Sequence, residues 1–347
     1  LAVDILLLVV SLVVVLAASI IFTNAVEMLG HRMNLHQGAV GSLLAAVGTA
    51  MPETIIPVIA IVAFWGTEQA NKIALGAIAG APFMLATLAF FVTGLGVLVS
   101  VRLRRRGPEI QVDTRILARD LTFFLATYSA AVLATFLPQA LGSLGPGAVW
   151  VGRVTVAVGL LAAYGLYVKM TLAGEAEGVE CDEQLYLGRI FRSGPLTAMS
   201  VIQFVIGLGV MIWGAHLFVK YAEAVSKAAD ISPLVLSLII VPIATELPEK
   251  FNSVVWVSKG KDTLAMGNIT GAMVFQSCIP VAIGIAGTPW DLMAEGGVTM
   301  VSAVLALLSG TIAVIWLRAR KTLSPHALMI GGLLYLVFVA FVLWGRG

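Results

Sequence analysis

The 347-residue chain is written as long apolar runs separated by short polar stretches. A helix needs roughly 20 mostly apolar residues to cross a bilayer. Runs of that kind are predicted near residues 2–24, 37–65, 71–100, 119–138, 147–170, 196–221, 232–257, 262–286, 297–318 and 325–345. The expected fold class is an all-α integral membrane protein with about ten transmembrane helices in two inverted five-helix repeats. Residues 1–173 form the first repeat, 174–195 a polar cytoplasmic linker, and 196–347 the second, inverted repeat.

Composition supports this organisation. The chain is 59% hydrophobic and 12% charged, with a mean hydropathy of +1.00. Soluble domains are about 45–50% apolar and about 25% charged, so one soluble core is excluded. The first apolar run lacks a basic leader and a clear cleavage site, and reads as a span rather than a removed signal. Cys181, in an acidic loop, and Cys278, in an apolar run, imply no disulfide framework. The acids around Cys181 disfavour its thiolate and with it a redox role.

Net charge, at +2, says little, because charge here is sorted by loop. Arg102, Arg104, Arg105, Arg106, Arg115 and Arg119 surround the third connection, and Arg189 and Arg192 lie in the fifth. Lys259 and Lys261 lie in the seventh, and Arg318, Arg320 and Lys321 in the ninth. Only Arg153 is near the fourth, and the eighth has Asp291 and Glu295 but no base. The positive-inside rule then makes the odd connections cytoplasmic and both termini non-cytoplasmic. An odd number of spans per half inverts the second half relative to the first. The cluster at 102–106 is expected to set topology rather than bind nucleic acid. The acidic stretch 175–183 lacks the ligand spacing of an EF-hand and reads as a solvated linker.

Two polar motifs interrupt the apolar runs. Residues 48–53 read Gly-Thr-Ala-Met-Pro-Glu and residues 244–249 read Ala-Thr-Glu-Leu-Pro-Glu. With Glu53 laid on Glu249, Phe22 meets Phe218, Glu27 meets Glu223, Thr49 meets Thr245 and Pro52 meets Pro248 without a gap. Further on, residues 76–81 match residues 267–272, with Gly76 and Gly80 opposite Gly267 and Gly271. An ionisable residue at membrane depth points to a functional site. Its recurrence in the same setting points to a duplicated one.

The proline in each motif removes a backbone donor and clashes with the carbonyl one turn earlier. Freed carbonyls, Thr49 and Thr245 hydroxyls, and Glu53 and Glu249 carboxylates would converge on irregular helix. Such hard oxygen ligands suit Ca2+ or Na+. Thr and Glu are four residues apart, and Glu246 lies three before Glu249, so all can share a face. The alternative is pairing with bases inside the bundle, where Lys250 is the only base adjacent in sequence to Glu249. Crowded carboxylates need a divalent cation or a proton, which is the basis of exchange. The paired glycines are expected to serve close helix packing, bringing Asn268 and Gln276 near the neighbouring broken helix.

These paired motifs resemble those of the cation/calcium antiporter superfamily, sodium/calcium exchanger type. Its two α-repeats carry Gly-Thr-Ser-x-Pro-Glu on one helix and Gly-Asn-x-x-Gly-Ser-Asn on the next. The resemblance spans both repeats and implies Glu53 and Glu249 as central ligands, flanked by Thr49 and Thr245. It implies a secondary antiporter moving Ca2+, or a similar divalent cation, against Na+ or H+, with no cofactor. The family serine after Gly-Thr is Ala50 here in one repeat and Glu246 in the other. The Ser-Asn pair is replaced by Ala81-Pro82 and Ala272-Met273, and the position one turn later is Leu85 or Gln276. Oxygens for flanking Na+ ions are thus missing at Ala81, Leu85 and Ala272, while Glu246 adds an acid. The candidate metal ligands are Glu53, Glu249, Thr49, Thr245, Glu246 and Gln276, with proton coupling through Glu246 left open.

Two rival classes remain. A membrane-embedded hydrolase finds no His-Glu-x-x-His pattern, since His31, His36, His216 and His326 are scattered. A transport-inactive homologue would bind a cation without moving it. Glu27 and Glu223 correspond across the repeats but are expected at the solvated interface. The expected partners are the lipid bilayer of the cell or cytoplasmic membrane and small inorganic cations, with no nucleic acid and no obligate protein partner.

Overall fold

A computed structural model describes residues 1–32, 50–64, 66–103, 107, 110–173 and 196–344. The linker at 174–195, with Cys181 and the acidic stretch, lies outside the described residues, as do Thr49 and the side chains of Glu27 and Glu249. The chain is almost entirely helical. Among the described residues thirteen α-helices follow one another, and the longer ones in the first half are α1 (Ala2–Arg32), α3 (Glu68–Met84), α4 (Phe90–Arg102), α5 (Thr114–Leu133) and α7 (Pro146–Leu172). In the second half these are α8 (Leu196–Ala229), α11 (Asp262–Gly287), α12 (Ala294–Arg320) and α13 (Pro325–Trp344). Short segments complete the set: α2 (Met51–Ala63), α6 (Leu137–Leu141), α9 (Pro233–Thr245) and α10 (Leu247–Ser258). Among the described residues eight helical stretches are long and apolar enough to cross a membrane, and two shorter apolar ones are Met51–Ala63 and Pro233–Ile243. Each of these segments overlaps one of the spans expected from hydropathy, and several run beyond it, as Glu68–Arg102 and Thr114–Leu144 do.

The two halves pack by equivalent rules. The first helices, α1 and α8, make the most extensive contact in the molecule. The contact of α2 with α3 has its counterpart in α10 with α11, and α5 with α11 in α12 with α3. Likewise α7 lies on α11 as α13 lies on α4. These three contacts correspond between the halves, whereas the packing of α8 on α2 has no counterpart of similar extent between α1 and α10.

Polar loops sort to two ends of this bundle. At one end Ile110 pairs with Leu323, Gln111 N donates to Asp262 Oδ2 at 2.8 Å, and Asp113 N donates to Thr263 Oγ1 at 3.0 Å. The third, seventh and ninth connections thus meet, and Arg102, Arg115, Lys259, Lys261, Arg318, Arg320 and Lys321 gather there. At the other end Thr135 Oγ1 donates to Trp290 O at 3.0 Å, and Arg153 donates to the carbonyls of Thr288 and Pro289. Lys72 bridges Glu68 at 2.8 Å and Glu295 at 2.9 Å, and Glu295 also accepts from Ser232. The second, fourth, sixth and eighth connections therefore share that end. Sorting by parity requires an alternating path through the bundle.

Close packing explains the glycines of the first repeat. A Cβ built on Gly76 would collide with Ser237 Oγ and the Leu234 carbonyl. One built on Gly80 would collide with the Leu238 carbonyl and come within 2.7 Å of Pro242 Cγ. Pro242 has no N–H to give Leu238 O, so the glycine nests against a kinked turn of α9. Gly80→Val is expected to destabilise the protein by about 1–3 kcal/mol, because backbone cannot yield as a flexible side chain would. Thermal unfolding in detergent would show it, and an unchanged midpoint would mean that α3 and α9 separate freely.

A π-helical turn at Leu85–Ala89 joins α3 to α4. Its carbonyls are used: Ser309 Oγ donates to Ala86 O at 2.5 Å, and Gly331 of α13 packs directly on Thr87 O. The turn follows Pro82, and it places buried Leu85 where the antiporter motif would have a polar residue.

Candidate cation-binding site

The candidate site lies where two helices begin with the same backbone geometry. Glu246 separates α9 from α10 with φ −87° and ψ 5°, and Pro248 stands in the first turn of α10. Ala50 precedes α2 with φ −83° and ψ 6°, and Pro52 stands in the first turn of α2. A proline there costs nothing within its own helix, since early N–H groups lack intrahelical partners, but it blocks continuation of the helix before it. The break in the second half divides 233–258 into helices of 13 and 12 residues. At about 1.5 Å per residue it lies near the middle of a spanning unit.

Glu53 stands in the first turn of α2, where the helix dipole favours negative charge. Glu53 is 2% exposed, and neither carboxylate oxygen has a hydrogen-bond partner. No side chain caps α2 at Ala50, so nothing local claims those oxygens. Pro57, one turn later, also leaves the Glu53 carbonyl without its usual helical donor. The Thr245 hydroxyl lies beside the Glu53 carboxylate, and Glu246 and Lys250 are within electrostatic reach of it. Thr245 Oγ1 itself donates to Val241 O at 2.9 Å, leaving its lone pairs for a ligand.

Glu246 departs from expectation. It is fully buried, and its Oε2 accepts from Lys250 Nζ at 2.9 Å. Lys250 is 5% exposed and also reaches the Pro242 carbonyl at 3.4 Å. Adjacency of Lys250 to Glu249 had argued against a local base, but the relevant spacing is four residues back, where helical side chains meet. Glu246 Oε1 is buried without a partner. In the first repeat the equivalent pair is uncharged: Thr54 Oγ1 donates to Ala50 O at 3.0 Å.

Gln276 lies on α11, which packs against α2, and its Oε1 is buried without a partner. Asn268, on the same helix, has a buried and unpartnered Nδ2. The structure thus brings Glu53, Thr245 and Glu246 together and puts Gln276 on an adjoining helix. Thr49 and the Glu249 side chain lie outside the described residues. Glu223 is elsewhere, in a half-exposed pair with Lys227 at 2.7 Å. His216 stacks on Phe64 with ring centroids 4.9 Å apart.

A further buried acid lies outside the paired motifs. Asp120 on α5 is 1% exposed, accepts from Arg119 Nη2 at 3.0 Å, and accepts from Thr270 Oγ1 at 2.9 Å. It fixes α5 to α11 at the basic end. A lone aspartate within the predicted span 119–138 was the available signal. Among the described residues no group of three or more His, Cys, Asp or Glu side chains could hold a metal ion.

The family model described as sodium/calcium exchanger protein matches residues 3–173 and 199–344. The chain belongs to the sodium/calcium exchanger family. An uncharacterised membrane protein of Methanocaldococcus jannaschii is 24% identical over 287 residues, covering 83% of this chain and 82% of that protein. The fold is also that of a crystal structure of the H+/Ca2+ exchanger CAX, with a TM-score of 0.70 at 17% identity over 98% of this chain and 82% of that one. The sodium-calcium exchanger NCX_Mj has a TM-score of 0.57 at 20% identity over 97% of both chains. This exchanger-family chain is therefore a multi-pass membrane protein of the cation antiporter type, and not an enzyme.

Proposed function

We propose that this exchanger carries Ca2+, or a divalent cation of similar size, in exchange for Na+ or H+ by alternating access. The observation that carries the reading is Glu53: a buried carboxylate with both oxygens unpartnered, in the first turn of α2 and beside Thr245 where α9 ends. An empty anionic group at membrane depth is costly, and a cation relieves that cost. The central ligands in this reading are Glu53 and Glu249, with Thr49, Thr245 and Gln276 supplying neutral oxygens and Glu246 flanking them. The five-helix repeats are inverted relative to each other, so the two breaks face across the bilayer midplane. The basic end is cytoplasmic, with the 174–195 linker on that side and both termini opposite.

The charge state of the site supplies the coupling. Loaded with a divalent cation or with monovalent cations, it is neutralised and can be reoriented; empty, it is not. Reconstitution tests this with Na+, H+ and K+ gradients applied one at a time. Uptake of radiolabelled Ca2+ is expected to follow an outward Na+ or H+ gradient and to ignore K+. Ca2+ binding in detergent with no flux under any gradient would instead identify a transport-inactive homologue.

A further inference from the structure

We propose that the Lys250 ammonium is a resident monovalent cation of this site, filling a subsite between the Glu246 carboxylate and the Pro242 carbonyl that a free Na+ would otherwise take. The inference rests on the proposed exchange function for its physiological meaning, but not for its physical content. The subsite is made of hard oxygens: Glu246 Oε2 at 2.9 Å and Pro242 O at 3.4 Å from Nζ. The Pro242 carbonyl is at the end of a broken helix and already accepts from Glu246 N at 3.1 Å. A carboxylate and a main-chain carbonyl are what a small monovalent cation would need.

The charge is present only where the acid is. The first repeat has Ala50 and Thr54 at the equivalent positions, with one hydroxyl-to-carbonyl hydrogen bond and no charge. The second has Glu246 and Lys250, buried together. Acid and base enter as a pair, so Glu246 adds no net charge for transported ions to balance. Glu53 and Glu249 remain, and together they match one divalent cation. A further free cation beside Lys250 would leave the loaded site positive in a low-dielectric surround, which is unfavourable. Glu246 Oε1 is buried without a hydrogen-bond partner, so the ammonium contact at Oε2 is the one charge-assisted contact seen for this carboxylate among the described residues.

The test is cation-dependent stability of the full chain in detergent, with NaCl exchanged for choline chloride at constant ionic strength. Wild type and Lys250→Arg should respond equally to Na+. Lys250→Met should melt lower in choline and recover with Na+, saturably, by about 2–5 °C more than wild type. The double variant Glu246→Ala with Lys250→Thr, which copies the first repeat, should fold without that Na+ response. A Lys250→Met protein that folds but gains no Na+ response overturns the inference. So does one that no Na+ concentration can fold while Lys250→Arg folds normally. Recovery of Lys250→Met only from Na+-containing solutions supports it. These outcomes are separate from transport: a gained Na+ response with no wild-type flux would sink the exchange function and leave the resident cation standing.

Discussion

Glu53→Gln is expected to bring Ca2+ uptake into proteoliposomes down to background while leaving the protein folded. The amide keeps the shape of the side chain and one oxygen but removes the charge that a hard divalent cation requires. Loss of one charge-assisted contact costs about 1.5–3 kcal/mol of binding. Affinity should then fall on the order of 10- to 100-fold. Stability should hold or rise, because both Glu53 oxygens are buried without partners and a neutral group is cheaper to bury. Uptake and thermal midpoint measured on the same preparation separate these effects. Undiminished uptake would remove Glu53 from the site, whereas lost uptake with a collapsed midpoint would make it a structural residue. Glu249→Gln should behave in the same way.

The second large effect concerns stability. Glu246→Ala leaves the Lys250 ammonium buried without its ion-pair partner, and breaking a buried ion pair costs about 3–5 kcal/mol. Lys250→Thr should cost a similar amount, by stranding the Glu246 carboxylate. The double variant should recover most of the loss, because Ala50 and Thr54 hold the same backbone break in the first repeat. A double-mutant cycle of thermal or denaturant unfolding would then show coupling of about 2 kcal/mol or more. Additive losses would mean that the pair is incidental and that the break is fixed by proline alone.

Hydropathy made the spans legible, because a bilayer demands long apolar runs and leaves little room for another reading. The starts of α2 and α10 were legible because proline leaves a chemical mark: Pro52 and Pro248 each stand in the first turn of their helix. The parity of the loops was legible in the Lys and Arg positions, and the meeting of the third, seventh and ninth connections follows it.

The electrostatics were harder to read. Glu246 looked like an extra ligand or proton carrier, and its pairing with Lys250 needed the four-residue spacing rather than sequence adjacency. The Asp120 contact with Thr270 joins residues 150 positions apart, so only tertiary structure could reveal it. The π-helical turn at Leu85–Ala89 has no local signature beyond Pro82, since partners on α12 and α13 stabilise it. The glycines divided: Gly76 and Gly80 seat α9, whereas among the described residues nothing comes near a Cβ on Gly267.

The central claim is obligatory exchange at a carboxylate site, and release of radiolabelled Ca2+ from preloaded proteoliposomes tests it most directly. Into choline medium without Ca2+, Na+ or an acid pH step, release should be no faster than from protein-free vesicles. Adding Na+, lowering the pH, or adding unlabelled Ca2+ outside should start rapid release, because the reoriented site must return neutralised. Equal release with and without an external counter-cation would contradict antiport, and no release under any condition would contradict transport itself.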